Sequence, residues 1–197
     1  DQDNRLAVAW VSIDQLTAIA DLESVSSVTE VTPPTVDAGS VVTEGDSILR
    51  AAQMRNTYHV DGSGVKIGVI SDGVDHISSA VASGDLPGSV SVLSNSYDGD
   101  EGTAMLEIIH DIAPGATLYF HDCGSNVIAF NGAIDDLVAA GCDIICDDIG
   151  WIDEPFFEDG VIARHVANIS AQGNVLFVSA AGNSGADHYQ GNFYRGS

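Results

Sequence analysis

Four short apolar runs, VKIGVI, ATLYF, DIIC and VLFV, recur along the second two-thirds of the chain, and each ends in a cluster of small polar residues. Stretches of about a dozen residues with helical apolar spacing separate them: DEGTAMLEIIHDI, VIAFNGAIDDLVAAG and DGVIARHVANISAQG. Runs without polar alternation belong to strands buried on both faces, and such strands occur in parallel sheets covered by crossover helices. Gly141 and Gly173 stand where helices return to strands. The order predicts an α/β fold: a mostly parallel sheet with helices on both faces, in three layers. The strands are expected at VKIGVI, SVSVLS (89–94), ATLYFHDC (116–123), within CDIICDDIGW (142–151) and at NVLFVSAAGN (174–183).

In a sheet of this kind chemistry collects where strands end and helices begin. The carboxyl ends carry Ser71-Asp72-Gly73, Asp122-Cys123, Asp147-Asp148 and Gly182-Asn183. Glu101 opens the helix after SVSVLS. A carboxylate there is well placed on the positive end of the helix dipole, and it also suits a general base if a second carboxyl such as Asp72 shares its charge. Asp72 reads equally as a turn aspartate before Gly73, and Asn183 as turn chemistry in Asn-Ser-Gly or as an oxyanion donor. Asp147 and Asp148 read as rim carboxylates at the end of the run DIIC, ahead of Ile149 and Gly150, and Trp151, Phe156 and Phe157 follow as an aromatic stretch. His121, beside Asp122, is the histidine closest to this edge, while His76, His110 and His165 read as surface residues. GSG at 62–64 precedes its strand, whereas a phosphate loop follows one, so it is no nucleotide fingerprint.

The 197 residues carry 29 acidic and 6 basic side chains, a formal charge of −23, and Lys66 is the single lysine. Such a surface repels phosphate backbones and anionic membranes, which excludes nucleic acid as a partner. No apolar run is long enough to span a bilayer, so membrane insertion is not expected. Calcium is compatible with the acidity, and no other cofactor is indicated. Cys123, Cys142 and Cys146 match no zinc spacing and read as core residues, with a disulfide from Cys123 left open.

Upstream, LAVAWVSI (6–13) alternates like a strand, Asp14 stands to cap a helix QLTAIADLE, and SVSSVTEVTP reads as a second strand ending at Pro33. A linker and a short helix, DSILRAAQMRNTYH, lead into the body.

With the motifs in this order, VKIGVISDGVD, EGTAMLEIIHDIAPGATLYF, AAGCDIICDDIG and VLFVSAAGNSG, the chain resembles the subtilisin-like serine peptidases and their sedolisin (serine-carboxyl) relatives from about Gly64 to Gly185. The resemblance implies a subtilisin-like three-layer fold preceded by a partial α+β propeptide-like segment. Residues 1–34 would be that segment, 35–61 a linker with a short helix, and 62–197 the N-terminal part of a catalytic domain. It implies a serine endopeptidase acting on peptide or protein substrates, with Glu101 as base, Asp72 or Ser71 in the first-motif role, Asn183 at the oxyanion, Asp148, Ile149 and Gly150 pairing with an extended peptide by strand addition, and Trp151, Phe156 and Phe157 beside that groove. The acidic surface suits a secreted protein at the cell exterior or envelope, and equally a high-salt or calcium-rich medium or work at acid pH. Glu101 stands where subtilisins have histidine, and Met105 where sedolisins have a second acid. The segment carrying the nucleophilic serine is expected downstream, in a remainder of the catalytic domain that would complete this part. A catalytically inactive binding or scaffold module of the same build is the alternative.

Overall fold

The computed structural model describes residues 6–31, 35–36, 44–173, 175–186 and 190–192. Its elements in chain order are α1 (Leu16–Ala20), β1 (Thr35–Val36), α2 (Gly45–Leu49), α3 (Ala51–Tyr58), β2 (Lys66–Ser71), α4 (Ile77–Ser83), β3 (Ser91–Ser94), α5 (Glu101–Ile112), β4 (Thr117–Asp122), α6 (Val127–Ala139), β5 (Ile144–Asp147), β6 (Ile149–Gly150), α7 (Val161–Ala171) and β7 (Leu176–Ser179).

The main sheet has five strands in the order β3-β4-β2-β5-β7, and every pairing in it is parallel. β2 is central, with Lys66 opposite Thr117 through Ser71 opposite Asp122 on one side, and Ile67 opposite Ile144 through Ile70 opposite Asp147 on the other. Its side chains alternate between two cores. Ile67 and Val69 join Ala80 of α4, Leu106 of α5, Leu118 and Phe120 in one, whereas Ile70 joins Phe130, Ile134 and Leu137 of α6 and Ile145 in the other. Helices α4 and α5 therefore cover one face and α6 the other, with Ile162, Val166 and Ile169 of α7 packed at the margin of the second core. The three-layer α/β arrangement expected from the strand pattern is the one observed. At the β7 edge Leu176 and Val178 remain exposed.

Local chemistry explains the helix boundaries. Asn126 caps α6, its side-chain oxygen accepting from the amides of Ile128 and Ala129, both at 3.0 Å. The lone lysine closes the other end of α6: Lys66 Nζ donates to the Ala140 carbonyl at 2.9 Å while lying 5.6 Å from the Tyr119 ring centre. Arg55 of α3 donates to the carbonyls of Asp111 and Ile112, at 2.9 and 2.8 Å, which closes α5. The expected helix over 46–59 is two helices, because Arg50 adopts a left-handed conformation with φ of 57° between α2 and α3. The short helix α4 was not anticipated, since ISSAVAS has no strong apolar stripe.

The N-terminal expectations need correction. The helix is present as α1, but residues 6–12 and 21–31 form no strand. Trp10 and Ile13 are exposed, so this segment has no apolar surface to pair against. Two strands and one turn of helix bury too little alone to hold together. The expected propeptide-like strand at SVSSVTEVTP includes residues 32–33, which lie outside the described residues.

Gly102 sets how closely α5 approaches the sheet. A Cβ at this position would meet the Phe120 ring and would lie 2.6 Å from the Gly73 carbonyl oxygen. The amide of Gly102 donates to that same carbonyl at 3.0 Å. Gly102→Ala is expected to lower stability by about 1–3 kcal/mol through overpacking, despite alanine's better helix propensity, as read by urea unfolding.

Candidate functional site

The carboxyl edge of the sheet gathers the polar clusters, and the side chains there are held in three different ways. At the end of β2, Asp72 Oδ1 accepts from its neighbour Gly73 at 2.6 Å and from the amide of Glu101 at 2.9 Å. Asp72 thus meets Glu101 through the main chain, fastening the first turn of α5 to the end of the central strand. Gly99, with φ of 148°, packs against the Asp72 carboxylate, where no Cβ would fit. Asp100 completes the loop: its Oδ1 accepts from the His76 amide at 2.8 Å and from the Thr103 hydroxyl at 2.7 Å. Glu101 itself opens α5 with its side chain in the first turn, as expected. Met105, one turn on, packs against the core between α5 and the sheet.

Ser71 is fully buried and its hydroxyl has no partner among the described residues, whereas Asp72 is only half-buried. Of the two candidates for the first-motif role, Asp72 is the one at the surface of the edge.

At the end of β4, Asp122 accepts from the Ser94 hydroxyl at 2.5 Å and from the amides of Ser96 and Gly124 at 2.7 and 3.1 Å. Burial opposes its charge, but these donors, with His121 alongside, outweigh burial and hold the carboxyl below its ordinary range. It is a clamp between the β3 exit and β4. His121 is drawn away from the edge: Nδ1 lies 2.7 Å from the Asp122 carbonyl and Nε2 3.3 Å from Asp136 of α6. His165 likewise meets Asp135 across α6 and α7 at 3.0 Å.

Asp147 departs most from expectation. It is a buried group, 4% exposed, and Asp148 beside it is buried as well at 9%, so neither is a rim carboxylate. The reason is strand alternation: Ile145 faces the α6 core, so Asp147 two residues on faces it as well. Its Oδ1 accepts from the Ile149 amide at 2.9 Å and the Ser179 hydroxyl at 3.1 Å. Burial pushes its pKa up to about 6 and Asp148 adds to the rise, although the two hydrogen bonds oppose it. Beside it opens a cavity of about 290 Å³, walled by Phe130, Ile149, Trp151, Val166 and Phe177. Trp151 meets Phe130 edge-on, ring centres 5.7 Å apart. Phe156 and Phe157, expected beside it, are exposed. Glu154, also lining the cavity, caps α7 by accepting from the amides of Val161 and Ile162 at 2.8 and 3.3 Å. Neither Ser179 nor Glu154 was flagged by sequence. An acid six residues ahead of a Gly-started helix was the available signal for Glu154.

Next to this cavity lies β6, the stretch expected to pair with an extended peptide. It is already paired: β1, from the chain's own linker, adds to it antiparallel, Thr35 opposite Gly150 and Val36 opposite Ile149. Asn183 sits exposed in the loop beyond β7, at the same edge of the sheet. The three cysteines are free, with burial pushing their thiols up to about 12, 11 and 12 for Cys123, Cys142 and Cys146, which makes them packing residues and not nucleophiles. Among the described residues no cluster of metal-ligating side chains forms, and no helix is long and apolar enough to cross a membrane.

The class this geometry defines is a three-layer parallel α/β domain whose carboxyl edge carries an acidic helix start and a strand that accepts an extended segment. Among solved structures, the chain is similar to a lanthipeptide protease, with a TM-score of 0.53 and 26% identity, covering 75% of this chain and 51% of that one. It also matches the prenylagaramide maturation protease PagA at 16% identity and a TM-score of 0.47, covering 68% of this chain and 51% of that one. The chain spans about half the length of each. No family model matches the sequence, and no curated protein matches it. The expected membership of the subtilisin-like or sedolisin serine peptidases is corrected here: no family model places the chain among them, and the similarity that carries weight is to a lanthipeptide protease. The physical reason is that apolar strands ending in Asp-Gly or Gly-Asn turns arise wherever parallel strands meet helix N-termini. Such motifs report the sheet edge more than a lineage.

The raised pKa of Asp147 has a defined consequence. A carboxyl whose folded pKa lies above its ordinary 3.8 favours the fold below that value, and the contribution is lost as pH rises through about 6. Asp147→Asn is therefore expected to match the parent near pH 4 and to exceed it at pH 8, by at most roughly 3 kcal/mol, measured by urea unfolding at the two pH values.

Proposed function

We propose that this chain is part of a peptide-bond hydrolase that binds its substrate as an extended strand along β6. The observation that carries the reading is the antiparallel addition of Thr35–Val36 to Ile149–Gly150, since an edge that accepts the chain's own linker presents the backbone donors and acceptors an extended substrate needs. The 26% identity to a lanthipeptide protease supports the same direction. In this reading Asp148, Ile149 and Gly150 bind the peptide backbone.

Glu101 is the general base, taking a proton from the attacking hydroxyl or water and returning it to the leaving amine as the C–N bond breaks. Asp72 is a positioning residue: by accepting from the Glu101 amide it sets where the first turn of α5 stands relative to β2. Asn183 supplies an amide donor to the oxyanion that forms on the scissile carbonyl. Because the chain spans about half of the neighbouring protease, the groups completing the site are expected from the whole protein.

The test is hydrolysis of a peptide mixture by the full-length protein between pH 4 and 8, with the products read by mass spectrometry. Glu101→Gln is expected to lower kcat/KM by about 10²–10⁴ while leaving the unfolding midpoint within a few degrees. A Glu101→Gln protein that cleaves at the parent's rate removes Glu101 from the mechanism. Peptides that bind along β6 without any cleavage would make the chain a binding module instead.

A further inference from the structure

The cavity beside β6 has features that backbone pairing does not explain. Its walls are aromatic and aliphatic, yet Asp147 points into it from a position 4% exposed. Oδ1 of that carboxylate is held by the Ile149 amide and the Ser179 hydroxyl, which orients the group and leaves Oδ2 buried and without a hydrogen-bond partner among the described residues. A half-satisfied buried carboxylate is costly unless something meets it. Among the described residues no Lys, Arg or His lines the cavity, and the second acid there, Glu154, is occupied in capping α7. Rings of Phe130, Trp151 and Phe177 complete the wall, and aromatic faces attract cations. The indole N–H of Trp151 is also buried and has no partner among the described residues. The cavity therefore carries, in its otherwise largely apolar lining, one carboxylate whose outer oxygen has no partner among the described residues and one tryptophan whose N–H has none either, in about 290 Å³, enough for one side chain and too little for a large ligand.

We propose that this cavity binds an alkyl cation, the ammonium or guanidinium head of a lysine- or arginine-type side chain, with the head on Asp147 Oδ2 and the stem against Phe130, Ile149 and Phe177. The assignment to a substrate side chain rests on the strand-binding reading of β6, whereas the cation chemistry of the cavity does not. Ile149 and Trp151 connect the two places: the first belongs to β6 and the second follows it, and both line the cavity. A peptide-borne lysine brings a carbonyl that Trp151 can donate to, which a bare alkylamine lacks.

Binding is read by fluorescence of Trp151. The chain has two tryptophans, and Trp10 is fully exposed, so Trp10→Phe leaves Trp151 as the reporter. In that background the probes are n-butylammonium, n-butylguanidinium, N-acetyl-lysine amide and, as the neutral match of the stem, n-butanol. The three cations are expected to bind at least ten-fold more tightly than butanol, with N-acetyl-lysine amide the tightest. Asp147→Asn, which keeps the shape of the group, is expected to weaken the cations at least ten-fold and to leave butanol unchanged. Butanol binding as tightly as butylammonium overturns the proposal, and this comparison needs no variant at Asp147. Cation affinity that survives Asp147→Asn in a protein with a cooperative melt overturns it as well. If butylammonium binds as tightly as N-acetyl-lysine amide, the Trp151 donor has no part in recognition and the substrate side-chain assignment falls. None of these measurements involves peptide cleavage, so their failure leaves the hydrolase reading standing, and loss of hydrolysis leaves the cavity result intact.

Discussion

Everything at the functional edge hangs on β2 being covered on both sides and both faces. Its six residues run parallel to β4 on one flank and β5 on the other, and its side chains supply two separate cores. Because every pairing in the five-stranded sheet is parallel, the carboxyl ends of β2, β4, β5 and β7 emerge at one edge, and each hands the chain to a loop or helix start there. The concentration of polar groups at that edge follows from the topology. Loss of parallel register at β2 would scatter Asp72, Asp122 and Asp147 to different places.

The chain places several acids at this edge, where mutual repulsion and burial both work against it, and the solutions differ with the donors within reach. Asp122 is surrounded by hydroxyl and amide donors and stays ionised with its pKa lowered. Asp72 gives one oxygen to two amides and so joins α5 to β2. Asp147 receives donors on one oxygen alone, and burial raises its pKa. The first two acids are explained by the architecture they hold. The third leaves one carboxylate oxygen without a partner among the described residues, at the wall of an apolar cavity.

The body of the fold was legible because both periods in the sequence are strong. VKIGVI and ATLYF are short apolar runs between turn signals, and Gly141 and Gly173 end their helices in left-handed conformations as expected. The N-terminal segment was misread since LAVAWVSI has strand periodicity but no partner strand, and alternation describes a surface without supplying a neighbour. At the edge, the start of α5 at Glu101 was readable from helix-start chemistry, whereas the pairing of Ile149–Gly150 with the chain's own Thr35–Val36 was not. Nor was Asp147: a DD pair after an apolar strand looks equally exposed at both residues, whereas the fold buries both and turns only Asp147 to the cavity. The family suggested by the strand-end motifs failed for a related reason, since these motifs encode a type of edge.

The sequence by itself determined the layer order, the parallel sheet and the edge at which its acids gather, since these follow from local periodicity and turn chemistry. Tertiary structure alone decided that β1 occupies β6, that Asp72 reaches Glu101 through a main-chain amide, and that Asp147 and not Asp148 faces the cavity. Each of these depends on contacts between residues 29 to more than 100 positions apart, where packing geometry sets which side of a strand a charge falls on and local pattern carries no information about it.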